Sequence, residues 1–188
     1  MALQDGYSND ITTTSPRARD AYDRGVQLFL AAQFGPVAAF GQCVQADPGF
    51  ALGHAALARA RMMGGDMPGA QAAIATATGL GSNDRREAQH IAAMATLLAG
   101  NAAETRRLVL AHVRDFPRDA LVAQLCSSVF GLIGFSGKIG READLLAYTT
   151  ALLPHYGEDW WMMSMHSVAL RNRAGGRGAD SDGQGAGA

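Results

Sequence analysis

Five histidines and a run of four evenly spaced glycines are the residues of this chain whose types could do chemistry. His54, His90, His112, His155 and His166 form no His-Glu-x-x-His and no closely spaced pair, so the spacing offers no zinc site. His54, His90 and His112 each stand alone on a helical stretch and read as partly buried or surface residues. His155 and His166 flank Glu158-Asp159-Trp160-Trp161, and a histidine beside a carboxylate could act as a general acid or base. The simpler assignment makes Asp159 a helix cap, with Trp161, Met165 and Val168 packing inward.

Gly131, Gly134, Gly137 and Gly140 surround Lys138, the single lysine, and suggest a phosphate loop. The spacing excludes it. A Walker loop needs glycine five residues before its Gly-Lys pair, where Leu132 stands, and Lys138 is followed by Ile139 rather than Ser or Thr. A dinucleotide fold needs a preceding strand, and none is expected. Ser136 is not in a Gly-x-Ser-x-Gly elbow either, since Lys138 holds the last position. The run reads as a turn that uses glycine's conformational freedom. Arg85-Arg86 and Arg106-Arg107 read as solvated pairs on helix faces.

The elements that would position these residues are helices. Hydrophobic content of 48% against 18% charged marks a folded chain of one domain, and a net charge of -1 gives no footprint for nucleic acid or an anionic membrane. Cys43 and Cys126 lie far apart without a Cys-x-x-Cys, which favours two buried reduced thiols. The start shows no secretory pattern, and Ala120 to Phe135, the most apolar segment, is too interrupted by polar residues to span a bilayer, so a cytoplasmic location is expected. Residues 1–14 read as a loose polar arm. Ser15-Pro16 then caps a first helix with Ala18, Tyr22, Gly25, Val26 and Phe29 on one face, and Asp47-Pro48 ends a second. Helices follow over Phe50–Met63 and Met67–Leu80, then a fifth running to Leu98 with Ser82, Asn83 and Asp84 as potential caps, and a sixth ending at Pro117. The spacing then predicts a seventh over Arg118–Ile133, an eighth over Gly140–Leu153 and a ninth over Asp159–Asn172, with no strands. Arg173–Ala188, with six glycines, is expected to be disordered.

Turn signals at Pro48, Ser82, Pro117 and Pro154 recur at 34, 35 and 37 residues. A near-constant period of two helices is the mark of an α-solenoid. The expected fold is all-α: a tetratricopeptide-like superhelix of about four helix hairpins over residues 15–172 plus one extra C-terminal helix. Leu57, Ala58, Ala70 and Ile74 fill the leucine, small, alanine and large apolar positions of the 34-residue pattern, and Gly25 and Phe40 hold comparable places in the first pair. The inner helices offer Arg24, His54, Arg61 and His90 but no lysine, which speaks against the carboxylate clamp that grips chaperone tails.

The stretches Phe116-Pro117-Arg118-Asp119-Ala120-Leu121, Leu132-Ile133-Gly134-Phe135-Ser136-Gly137 and Pro154-His155-Tyr156-Gly157-Glu158-Asp159-Trp160-Trp161 through Met165-His166 resemble the bacterial branch of the tetratricopeptide repeat protein 38 family. Met1-Ala2-Leu3, Asp20-Ala21-Tyr22 and Phe50-Ala51-Leu52 fit as well. The resemblance covers residues 1–171 and only the N-terminal portion of that family. It implies a helical solenoid of unassigned biochemical role, with no catalytic residue to carry over. Family members continue past Leu170 into further helices, whereas this chain reads RNRAGGRGADSDGQGAGA. The expectation is that a frameshift or truncation has replaced the continuation and left the ninth helix an open edge.

The function this sequence favours is a non-catalytic scaffold with no metal or other cofactor. Its concave groove would take a protein or peptide partner, with aromatic and Met anchors and polar specificity from Arg61 and His90. The alternative is a small-molecule or enzymatic pocket near His155, Tyr156, Trp160, Trp161 and His166. A third expectation is self-association through the C-terminal helix.

Overall fold

The computed structural model describes residues 3–179. Nine α-helices are found among them: α1 Pro16–Leu30, α2 Pro36–Ala46, α3 Ala51–Met63, α4 Met67–Leu80, α5 Arg85–Leu98, α6 Ala102–Asp115, α7 Ala120–Ser127, α8 Arg141–Tyr156 and α9 Trp160–Ala179. One 3-10 turn, Gly134–Ser136, precedes α8. Two short strands, β1 Leu3–Gln4 and β2 Asp10–Ile11, pair antiparallel with Leu3 opposite Ile11 and Gln4 opposite Asp10. The chain divides into two compact units, one through Ala123 and one from Gln124 onward.

Local rules account for most helix starts. Ser15 accepts a hydrogen bond from the Ala18 amide with Pro16 at the first helical position. Asp66, Asp84, Asn101 and Asp159 cap α4, α5, α6 and α9 in the same way, each accepting from the amide three residues on. Gly100 follows α5 with φ of 78°, the left-handed residue that ends many helices.

In the first unit α3 is the central element, packed against α1, α2, α4 and α5. It carries Ala51, Leu52, Ala55, Ala56, Leu57, Ala58 and Ala60, all buried, so it is apolar on nearly every side. Consecutive helices pack as α1 on α2, α3 on α4 and α5 on α6. Gly25 permits the first of these approaches, because a Cβ there would lie 2.5 Å from the Phe40 ring. In the second unit α8 packs on α9, and Leu145, Tyr148, Leu152, Tyr156, Trp161, Met162 and Ala169 are buried. Cys43 and Cys126 are free and buried, and burial pushes the Cys43 thiol up to about 12.

Four boundaries differ from the sequence expectation. Residues 3–14 are an ordered hairpin and strap rather than a loose arm. α7 ends at Ser127, not Ile133, because the chain folds back so that the Leu132 amide reaches the Leu125 carbonyl at 2.8 Å. Gly131 and Gly134 lie so near the Leu125 and Val129 carbonyls that added Cβ atoms would sit at 2.7 and 2.0 Å. α8 continues through Pro154 to Tyr156: the proline removes one backbone donor, and the buried Tyr156 anchors the last turn before Gly157. α9 extends past Asn172 to Ala179, into the segment expected to be disordered, whose remaining residues 180–188 lie outside the described residues.

Candidate functional site

The strap, residues 3–14, is built by its own turn. The Asp5 carboxylate accepts from the amides of Tyr7 at 3.0 Å and Asn9 at 2.9 Å, and Ser8 takes a left-handed φ of 64° to close the hairpin. Burial then alternates without a break. Residues 4, 6, 8, 10, 12 and 14 are exposed, while Leu3, Asp5, Tyr7, Asn9, Ile11 and Thr13 turn inward. The alternation runs through the turn at Asp5–Asn9, so the strap is a small hairpin with one row of side chains inward.

Side chains of the helical unit grip the main chain of the strap. Asp23 on α1 accepts from the Gly6 amide at 2.8 Å. Arg118 donates from Nε to the Tyr7 carbonyl at 2.7 Å, and its own carbonyl accepts from Asn9 Nδ2 at 3.2 Å. Arg86 on α5 donates from Nη2 to the Asp10 carbonyl at 3.0 Å. Glu87 accepts from both the amide and the hydroxyl of Thr12, at 2.8 and 2.7 Å, and from Ser82 Oγ at 2.9 Å. Thr13 Oγ1 donates to Asp47.

Behind these contacts Asp119, 2% exposed, gathers three side chains. Arg86 Nη1 donates to Oδ2 at 2.8 Å, His90 Nδ1 lies 3.0 Å from both oxygens, and His112 Nε2 lies 3.3 Å from Oδ2. The His112 Nδ1 faces Gln89 Oε1 at 3.1 Å. A proton on His90 Nδ1 leaves Nε2 as the acceptor, and that atom is buried with no hydrogen-bond partner among the described residues. Burial alone would raise the Asp119 carboxyl. The neighbouring His90, hydrogen bonds from His112 and His90, and the Arg86 charge together hold it well below the usual carboxylate range. Burial opposes the Arg86 charge too, but Asp119, by its charge and its hydrogen bond, together with Tyr22 and Asp5 more than offsets it and raises the guanidinium. Asp5 and Asp23 go the other way: burial pushes both up, Asp23 to about 6. The space between Asp5, Tyr7, Tyr22, Asp23 and Asp119 is about 10 Å³, room for one water and not for a substrate.

In the second unit Tyr156 and Trp161 meet edge to face with centroids 5.7 Å apart, and Trp161 is 1% exposed. His166 Nδ1 lies 3.1 Å from Thr149 Oγ1. Trp160 and His155 are exposed. An open trough of about 690 Å³ runs beside α8 and α9, lined by Ala143, Leu146, Ala147, Thr150, Ala151 and Leu170, with Arg173 also on its wall.

The residues singled out by sequence thus separate. Arg61 is half-buried and donates from Nη1 to the Gly69 carbonyl at 3.0 Å, pinning the turn between α3 and α4. His90 is wholly enclosed, a correction to its expected place as a partly exposed groove residue: the Asp119 carboxylate draws its ring inward. Arg86 is likewise buried at 4% exposure and not a solvated helix-face residue. Asp23 and Glu87 escaped sequence reading, and Asp119 entered it only within the Phe116–Leu121 stretch, with no role of its own. Only the Asp84-x-x-Glu87 spacing at the start of α5 was there to be found, and the reciprocal half of a capping box is not made: the Asp84 amide donates to Ser82 Oγ. Among the described residues no group of three or more His, Cys, Asp and Glu is arranged to hold a metal, and no helix is long and apolar enough to cross a membrane. Comparison with family models, curated proteins and solved structures returns no match to this chain.

Proposed function

We propose that this chain is a non-catalytic, tetratricopeptide-like interaction module that binds a partner polypeptide. Packing of α2 on α3, α4 on α5 and α3 on α5 supports a stack of helix pairs, since it joins each pair to the next as well as its own two members. The observation that carries the binding role is the α8–α9 trough. Ala143, Ala147 and Ala151 follow at four-residue steps on its wall, so an incoming helix can approach closely, and Leu146 and Leu170 supply apolar surface. The pocket alternative draws less support, because Tyr156 and Trp161 fill each other's space and His166 is engaged with Thr149.

The test is a photo-crosslinking residue placed in the full chain at Ala147, with the exposed Gln42 of α2 as the control position. A discrete adduct at Ala147, absent at Gln42 and abolished by Leu146→Arg without a change in melting temperature, is the expected result. Identical adduct patterns at both positions would sink the reading. The adduct's mass states whether the occupant is a second copy or another protein.

A further inference from the structure

The outer face of the α8–α9 pair is uncharged along its middle and charged at its ends. From Leu145 to Gly157, and again from Trp160 to Leu170, the sequence holds no Asp, Glu, Lys or Arg. Burial explains only part of that run. Trp160, Met163 and Leu170 on α9 are 47, 48 and 49% exposed, and Ala147, Thr150 and Ala151 on α8 are exposed as well. Trp160, Met163, Ser167, Leu170 and Ala174 follow at three- and four-residue steps, so the exposed residues form one stripe along α9. Large apolar side chains gathered on one face and rimmed by charge mark a surface that a partner covers.

The charged ends complement each other. Ala143 lines the trough together with Arg173 and Ala174, so the two helices run antiparallel. One end of the face therefore carries Glu158 and Asp159. The other carries Arg141, Arg171 and Arg173 against Glu142 and Asp144, with Arg141 and Glu142 paired at 3.1 Å. A copy turned about a two-fold axis level with Ser167 lays its acidic end on this basic end, and the reverse. The same rotation sets Met163 of one copy against Leu170 of the other. Trp160 of each comes to the end of the face where the other's Ala143 and Ala174 line the trough of about 690 Å³. We infer that the α8–α9 face closes on the same face of a second copy of this chain, as an antiparallel two-fold pair in which each Trp160 enters the other copy's trough; this rests on the trough being a binding surface and names what binds there. From Trp160 to Ala174 the face is about 21 Å long, and two helices make it about 20 Å wide. An outline of about 400 Å² per copy suits a pair that forms and separates with concentration rather than a permanent one.

The experiment is analytical ultracentrifugation of the full chain from about 1 to about 300 µM, a range that brackets weak pairing. The expected result is a shift from monomer to dimer, with acrylamide quenching of tryptophan falling over the same range as Trp160 becomes covered. Trp160→Ala, which removes an exposed ring, should raise the half-association concentration at least fivefold with the melting temperature unchanged. Cysteine pairs then read the register under mild oxidation, and the natural chain, whose two cysteines are buried, sets the background. Ser167→Cys, on the axis, should link to its own kind. Met163→Cys should not link alone but should link when mixed with Leu170→Cys. A chain that stays monomeric throughout overturns the inference, as does a dimer indifferent to Trp160→Ala or one linked through Met163→Cys alone. A monomer that still gives a discrete adduct at Ala147 with another protein overturns the second copy and leaves the trough a binding surface. A monomer without a discrete Ala147 adduct overturns both.

Discussion

The Asp119 carboxylate joins Arg86, His90 and His112 in an interior where none of the four side chains is more than 4% exposed. Removing its charge leaves Arg86 buried without its closest counter-ion, and breaking a buried pair from one side costs about 3–5 kcal/mol. Asp119→Asn is therefore expected to lower unfolding free energy by about that amount in urea melts. Glu104→Ala, which breaks a solvent-exposed pair with Arg107, is expected to leave the melt unchanged. Gly25 tests a different balance. Alanine in a helix interior gains roughly 0.5–1 kcal/mol over glycine, yet overpacking a tight core costs about 1–3 kcal/mol. With the Phe40 ring 2.5 Å from the added carbon, overpacking wins, and Gly25→Ala should destabilise where Gly79→Ala, which meets nothing within 4 Å, does not.

At the scale of elements, α8 and α9 offer an optical test, because the chain's two tryptophans lie side by side at the start of α9 in opposite environments. Trp161→Ala removes a buried ring set edge-on to Tyr156 and should cost about 3–5 kcal/mol, read in a urea melt. Trp160, 47% exposed, should be silent in the same melt and should supply the acrylamide-quenched part of the fluorescence. Elements were legible in the sequence wherever local chemistry decides them. Ser15 and Asp159 announced helix starts, Ser82-Asn83-Asp84 offered three candidate caps of which Asp84 is the one used, and Gly25 with Phe40 held comparable places in the first pair. The strap was not legible, because its inward positions carry Asp5, Asn9 and Thr13 beside Leu3, Tyr7 and Ile11. Alternation of that kind shows only in burial, since part of the inward row is polar and bonded within the strap or to Asp47 and Arg118. Asp119 was hidden for a related reason. After Phe116-Pro117 it looks like a turn residue, and nothing local says that Arg86, His90 and His112 converge on it. The end of α7 was missed because Leu132 and Ile133 continue an apolar run while Gly131 and Gly134 are needed for the chain to fold back.

For the molecule as a whole, acid acts on its carboxyls in opposite senses. Asp23, raised to about 6, binds a proton more readily folded than unfolded, so its contribution is full below the ordinary carboxylate range and is lost as pH rises through about 6. Asp119, held low, contributes above the ordinary range and loses that contribution only in stronger acid. Between pH 4 and 6 Asp23 therefore adds a slope of at most about 1.4 kcal/mol per pH unit, stability rising toward acid. Asp23→Asn should flatten that slope in urea melts at pH 4.5, 5.5 and 7, and an unchanged slope would assign it to other groups. The strap also carries a consequence in time. Two of its anchors are near in sequence, Asp23 17 residues from Gly6 and Asp47 34 from Thr13, whereas Glu87, Arg86 and Arg118 lie 75, 76 and 111 residues from the groups they hold. Until Glu87 and Arg118 have been made, the strap can hold only Asp23 and Asp47. Contacts so distant in sequence form slowly, because the loop between them must close before they are gained. Residues 3–14 are consequently the earliest part of the described chain to be made and among the last to be fully secured.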